Sequence, residues 1–333
     1  MIEHGGALDR AIAEYGGDRA DWLDLSTGIN PVPYPLPDLP PDVWTRLPDA
    51  GLEQRAVSAA RNYYGFGAEA GVVAAPGTQA LIQLYPHLAP PGNALVIGPT
   101  YEEHAQSLGF AGRDVRYERS MSALDDEDMI AVVVNPNNPD GSSIPAEALL
   151  FTADRLGERG GLLVVDEAFA DCDPSDSVAA HAGADGLLVL KSFGKFFGLA
   201  GVRLGFAGGS EELTAALQSM LGPWAVSGPA LAIAGQAFAD AGWIAETRRR
   251  LASDRNALEA GLTAAGLTVL GGTDLFVLAR HFQAHHIWRE LATRNILVRK
   301  FDYQHDWLRF GLPADAAARE RLTVALREIM ADL

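Results

Sequence analysis

The sequence predicts an α/β fold, with a large domain on a mostly parallel mixed sheet and a smaller α+β domain after it. Three observations carry this. Short β-branched runs recur through the first two thirds of the chain, and amphipathic helical patterns separate most of them. These runs are apolar almost throughout, as strands of a sheet covered on both faces must be. After about Pro223 the rhythm changes to long helices followed by short alternating strands. With 333 residues, 48% of them hydrophobic, the chain has ample material for one large core and a second, smaller one.

In order, residues 1–40 read as an N-terminal arm, and the proline-rich extended stretch "PVPYPLPDLPP" at 31–41 connects it to the body. Residues 41–222 make the large domain. Its strands are "GVVAA" (71–75), "ALVIG" (94–98), "IAVVVN" (130–135), "LLVVDE" (162–167), "LLVLKS" (187–192) and "RLGFAG" (203–208), with helices expected from Thr78, Glu102 and Pro145. Residues 223–333 form the small domain: helices over 229–265, then "DLFVLAR", "HHIWRELATR", "NILVRKF", "DWLRFGL" and a closing helix.

Composition excludes several classes. A net charge of −17 repels phosphates and argues against nucleic-acid or anionic-membrane partners. The single cysteine, Cys172, permits no intrachain disulfide and no cysteine-based metal cluster, so no metal site is expected. The opening "MIEHGGALDR" lacks the pattern of a signal peptide, and no apolar run reaches eighteen residues. A cytoplasmic protein is the expectation.

Open α/β sheets bind ligands beyond the carboxyl ends of their strands, and polar residues gather there. The first strand ends in "APGTQ", where Pro76 and Gly77 make a turn and Thr78 is placed to cap a helix that offers backbone N–H groups to an anion. The next puts Tyr101 at the rim, and the third ends in the rigid turn "NPNNPDG". Asp166 follows four apolar residues, so its carboxylate at the sheet edge needs a cation or donors. The fifth runs into "LKSFGKFFGLAGVRLGF", with two lysines, an arginine and four glycines in an apolar segment. An anion-binding turn, an aromatic plate, an acid, a lysine and an arginine together suit pyridoxal phosphate, whose chemistry needs a lysine partner and an acid on the pyridine nitrogen.

"NPNNPDG", "DEAF" and "SFGKFFGLAGVRLG" resemble, in order and separation, the motifs of the class I/II aminotransferases, the fold-type I pyridoxal-phosphate enzymes. The resemblance implies that Lys195 carries the cofactor covalently, and it sets Lys191 aside as a strand-end or surface lysine. It gives the cofactor phosphate to Ser192, Arg203, Gly77, Thr78 and Gln79, the ring nitrogen to Asp166, the ring oxygen to Asn138 and the ring face to Tyr101. Arg309, in "WLRFGL", matches the arginine that grips the substrate carboxylate by its fork of donors. A homodimer with active sites at the interface is also implied.

Within that group, "HGG" (4–6) and "DLSTGINP" (24–31) resemble the threonine-phosphate decarboxylases of cobalamin biosynthesis. That likeness implies an N-terminal arm lying over the active site and a phospho-amino-acid substrate, with His4, Gly5, Gly28 and Arg299 ("ILVRKF") near its phosphate. Arg299 and Arg309 are expected as two well-separated cations for a substrate with two anionic ends. Three positions depart from relatives. Phe169 replaces a tyrosine that donates to the ring oxygen, which leaves Asn138. Leu47 replaces a tyrosine that reaches the neighbouring subunit's cofactor phosphate, with Tyr63 and Tyr64 as candidate substitutes. Gly28 replaces an asparagine. The runner-up is a histidinol-phosphate or other aminotransferase on the same motifs. A pyridoxal-phosphate domain of a transcription regulator has neither spare length nor basic charge here, and the glycine spacing of "GLAGVRLG" does not fit a dinucleotide site.

Overall fold

A computed structural model describes residues 5–333. Twelve strands occur among them: β1 (Leu23–Leu25), β2 (Gly71–Ala75), β3 (Asn93–Ile97), β4 (Val115–Glu118), β5 (Asp128–Val134), β6 (Leu162–Asp166), β7 (Leu187–Ser192), β8 (Gly205–Gly209), β9 (Thr268–Thr273), β10 (Phe276–Arg280), β11 (Ile296–Lys300) and β12 (Trp307–Gly311). They make two sheets, one in each of two compact units.

The larger unit comprises residues 34–138 and 142–244 and holds a seven-stranded sheet in the order β2-β8-β7-β6-β5-β3-β4. All pairings are parallel except those of β8, which runs antiparallel to both neighbours. The central strands are buried at every position of β6 and β7. On one face Ile130, Val132, Val164 and Leu188 cluster with Leu81, Ile82, Leu108 and Leu217 from the helices Thr78–Leu84, Glu103–Phe110 and Glu211–Leu221. The alternate residues Ala131, Val133, Leu163 and Val165 are just as buried. Strand side chains alternate between faces, so both faces of the sheet are covered. Each such Val, Leu or Ile contributes about 1.5–3 kcal/mol. This buried slab fixes where the strand ends lie. The polar residues that follow them owe their positions to it.

The smaller unit collects residues 5–33, residues 139–141 and residues from Ala245 onward. Its sheet runs β1-β11-β12-β10-β9, with β1 parallel to β11 and the other pairs antiparallel. The helix Leu8–Tyr15 places Leu8 and Ala11 against Trp22, Ala292 and Leu297. The N-terminal segment is thus part of this unit's core. Gly5 approaches the Ser26 carbonyl so closely that a Cβ there has no room, and the Gly6 N–H donates to Ser26 Oγ at 2.7 Å. Ser26 Oγ in turn donates to Asp24 Oδ1 at 2.6 Å.

Candidate active site

One cleft in the larger unit is lined by Gly77, Thr78, Gln79, Tyr101, Asn138, Asp166, Ser192, Lys195 and Arg203, together with Phe169. Widely separated motifs meet there because each follows or precedes a strand of the same sheet. Ser192 ends β7, and Lys195 sits three residues further, in the single turn Phe193–Phe196. Its Nζ lies 5.7 Å from the centre of the Phe169 ring. Lys195 is the lysine of this cleft.

Lys191 has a different place. It is at the strand end but buried, 2% exposed, which corrects the surface reading. It is ion-paired with Glu167 and lies 3.2 Å from Ser177 Oγ, and Glu167 also accepts from Ser177 Oγ (2.5 Å) and from the Val178 N–H (2.8 Å). A buried charge survives only with such partners. "DEAF" therefore splits its two acids: Glu167 neutralises Lys191, and Asp166 faces the cleft.

Asp166 accepts the Ala168 N–H on Oδ1 at 3.0 Å, and its Oδ2 is 3.0 Å from His104 Nε2. His104 Nδ1 is 3.1 Å from the Tyr85 hydroxyl. His104 and Tyr85 are wholly buried, and burial, with Asp166 adding to it, pushes the Tyr85 hydroxyl well above its ordinary pKa. Neither residue was foreseen from sequence. Tyr101 precedes the helix Glu103–Phe110, and its ring meets His104 edge-on with centres 6.2 Å apart, a contact that sequence spacing does not announce.

The anion end is built by close packing. Gly77 has φ +83°, and a Cβ there would come within 2.7 Å of Arg203 Nη2. A Cβ on Gly205 would meet the Thr78 nitrogen at 2.6 Å. The glycines thus let the guanidinium and the first-turn amides share one corner. Thr78 does not cap the helix. Gly77 holds the cap position with no side-chain bond, because its left-handed turn already delivers the chain into the helix and leaves the Thr78 side chain for the cleft. Among the described residues no carboxylate pairs with Arg203, whose Nη1 donates only to the Ala200 carbonyl at 3.3 Å.

In "NPNNPDG" the asparagines divide their work. Asn135 is tied to both backbone groups of Ile144, and Asn137 to Thr100 Oγ1 and the Pro99 carbonyl, while Asn138 lines the cleft. The Tyr101 hydroxyl donates to Gln79 Oε1 at 3.3 Å, and Gln79 donates to Glu103 at 2.6 Å. Burial, then Glu103 and Asp166, push the Tyr101 pKa up to about 12, so it stays a neutral phenol.

In the smaller unit Arg299 and Arg309 are not well separated. They are register partners on β11 and β12, brought together by the hairpin turn at 301–306. Arg309 is buried, donates to the Ser26 carbonyl at 2.9 Å and lies 5.0 Å from the Phe276 ring centre. Burial first, then Arg299, lower its pKa to about 10. Gly5, Ser26 and Arg299 line one cavity of this unit with Arg10, Trp288 and Lys300. Gly28 is buried, and His4 lies outside the described residues.

Of the tyrosines considered as substitutes at Leu47, Tyr64 is buried and packed edge-on against Phe238, and Tyr63 stacks on the same ring at 4.9 Å. Both belong to the aromatic core, whereas Leu47 is exposed.

The donor set fits a phosphorylated aromatic cofactor of the pyridoxal type. An unpaired guanidinium lies beside backbone amides and hydroxyls, with an acid buttressed by a buried histidine, an amide, an aromatic plate and a lysine amine. The fold and cleft are those of a fold-type I pyridoxal-phosphate enzyme. Residues 39–329 match the family model for aminotransferases of class I and II, and the chain belongs to that family. It is 48% identical to a threonine-phosphate decarboxylase of Sinorhizobium sp, over 98% of this chain and 97% of the relative. It is 46% identical to another of that name from Pseudomonas aeruginosa, with the same coverages. Among solved structures, a histidinol-phosphate aminotransferase from Sinorhizobium meliloti in complex with pyridoxal-5'-phosphate superposes with a TM-score of 0.82, at 20% identity, covering all of this chain and 95% of that one.

Proposed function

We propose that the protein is a pyridoxal-phosphate-dependent carboxy-lyase that converts L-threonine O-3-phosphate to (R)-1-amino-2-propanol O-2-phosphate and CO2, a step of cobalamin biosynthesis. The observation that carries this reading is near-full-length identity of 46–48% to two proteins named for that activity. Phe169 beside Lys195 supports it, since that position lacks the hydroxyl of relatives that transfer amino groups.

Roles follow from chemistry. Bound pyridoxal phosphate supplies an electron sink for whichever substrate Cα bond stands perpendicular to its ring. Lys195 provides the amine that holds the cofactor and later meets the substrate. Asp166 keeps a proton on the ring nitrogen, and His104 and Tyr85 hold that carboxylate in orientation. Arg203, Ser192 and the amides of Thr78 and Gln79 bind the cofactor phosphate, with Gly77 as the close approach. Asn138 donates to the ring oxygen, and Tyr101 covers the ring. The arm of residues 1–40 leads into the compact unit of residues 34–138 and 142–244, which serves as the cofactor domain, and residues from Ala245 onward serve as the small domain. Arg309 takes the substrate carboxylate. Arg299, His4, Gly5 and Gly28 serve the substrate phosphate. Which bond breaks is set by where these groups hold the two anions, so selectivity is positioning rather than new reactive groups. The enzyme acts as a homodimer in the cytoplasm.

The test is product analysis. Holoenzyme given phospho-threonine without any 2-oxo acid should form the phosphate ester of aminopropanol, seen by mass spectrometry. Conversion of histidinol phosphate with 2-oxoglutarate, and no such ester, would establish an aminotransferase instead.

A further inference from the structure

Two histidines in the smaller unit that have been given no role above face each other beside the β11–β12 hairpin. His285 is the second residue of the helix Ala284–Thr293, and His305 lies in the turn between β11 and β12. Their Nδ1 atoms are 3.4 Å apart and their ring centres 4.7 Å apart. His285 Nε2 is 3.3 Å from the Phe301 carbonyl oxygen.

That last contact decides the tautomer. A carbonyl only accepts, so Nε2 of His285 carries the proton and Nδ1 of the neutral ring carries the lone pair. That lone pair is turned toward Nδ1 of His305. Without a further ligand, the pair closes as a weak hydrogen bond in which His305 donates. The spacing also suits a metal. Two imidazole nitrogens about 2.0–2.1 Å from one tetrahedral ion lie roughly 3.4 Å apart. A backbone carbonyl fixing the far nitrogen is the usual outer partner of a histidine that ligates metal.

We propose that His285 and His305 form a surface binding site for a borderline divalent transition metal of the Zn2+, Ni2+ or Cu2+ class. Imidazole selects these ions over Mg2+ and Ca2+. No third metal-ligating side chain groups with the pair among the described residues. Water completes the coordination, and the site is open rather than structural. An ion held there ties the β11–β12 turn to the helix Ala284–Thr293. The same hairpin carries Arg299 and Arg309, so the ion should stiffen the element that presents both cations.

The test uses untagged holoenzyme. After equilibrium dialysis against zinc chloride, the parent should retain one more zinc per chain than His305→Ala, and zinc should raise the parent's melting temperature but not the variant's. His305 is exposed, so its loss should leave folding intact. His285→Ala should behave alike, and His286→Ala should keep the ion. Equal zinc in parent and His305→Ala, or none in the parent, would overturn the proposal.

Discussion

Lys191 and Lys195 stand four residues apart, and burial separates them more sharply than sequence does. Lys195→Ala should abolish covalently held cofactor and its visible absorbance. Lys191→Ala should keep the cleft residues but strand Glu167 in a dry interior, a loss of about 3–5 kcal/mol. Thermal unfolding of the two variants distinguishes them: a Lys191→Ala protein as stable as the parent would contradict the buried pair. At Asp166, substitution by Asn should retain some cofactor and lose nearly all turnover. His104→Leu, close to histidine in volume, removes the partner of Oδ2, and it should lower kcat with little change in KM, since His104 reaches the cleft through Asp166. Unchanged kcat in His104→Leu would show the contact to be packing. The cleft residues were legible because each directly follows or precedes an apolar strand, where a polar residue is conspicuous. Tyr85, His104 and Glu167 were not, because a buried polar chain leaves no mark in sequence until its partners are known to touch.

Among elements, the β11–β12 hairpin is the most informative. Its turn sets Arg299 opposite Arg309, and like charges facing each other across strands cost roughly 0.2–1 kcal/mol. Burial first, and Arg299 second, lower the Arg309 pKa to about 10. Arg309 remains cationic at neutral pH. Arg299→Leu should therefore melt no lower than the parent, and slightly higher if the repulsion dominates. The same variant should use phospho-threonine at least tenfold less well, since losing one charge-assisted contact costs about 1.5–3 kcal/mol and each 1.36 kcal/mol is about tenfold in rate. A variant both less stable and fully active would reverse the assignment. The hairpin's two strands were foreseen, but their register was not, because pairing is set by a turn whose geometry the residues 301–306 do not announce. β4 escaped notice for a related reason: "VRYE" is a half-exposed edge strand without an apolar run. β1 has only three residues and takes its strand character from β11.

For the whole molecule, the alternation of strand and helix announced the larger sheet, but the second unit resumes at Ala245 rather than at the change of rhythm after Pro223, because the helix Gly228–Ala237 packs on the helix Ala50–Tyr64 of the larger unit. What composition could not announce is that the N-terminal segment packs into that second unit, through Leu8, Ala11 and Trp22. Long-range pairing of this kind has no local signature. The arm should therefore matter to the smaller unit's stability as well as to the substrate, and deletion of residues 1–22 should lower the melting temperature rather than merely raise KM. Light scattering should find a homodimer, and a fully active monomer would refute that part of the account. The central claim is the bond that breaks. Carboxyl-labelled L-threonine O-3-phosphate, incubated with purified holoenzyme with and without 2-oxoglutarate, tests it most directly. The account predicts label released as CO2 in step with substrate consumed, at the same rate in both mixtures. Label retained in a 2-oxo acid product, formed only when 2-oxoglutarate is present, would contradict it.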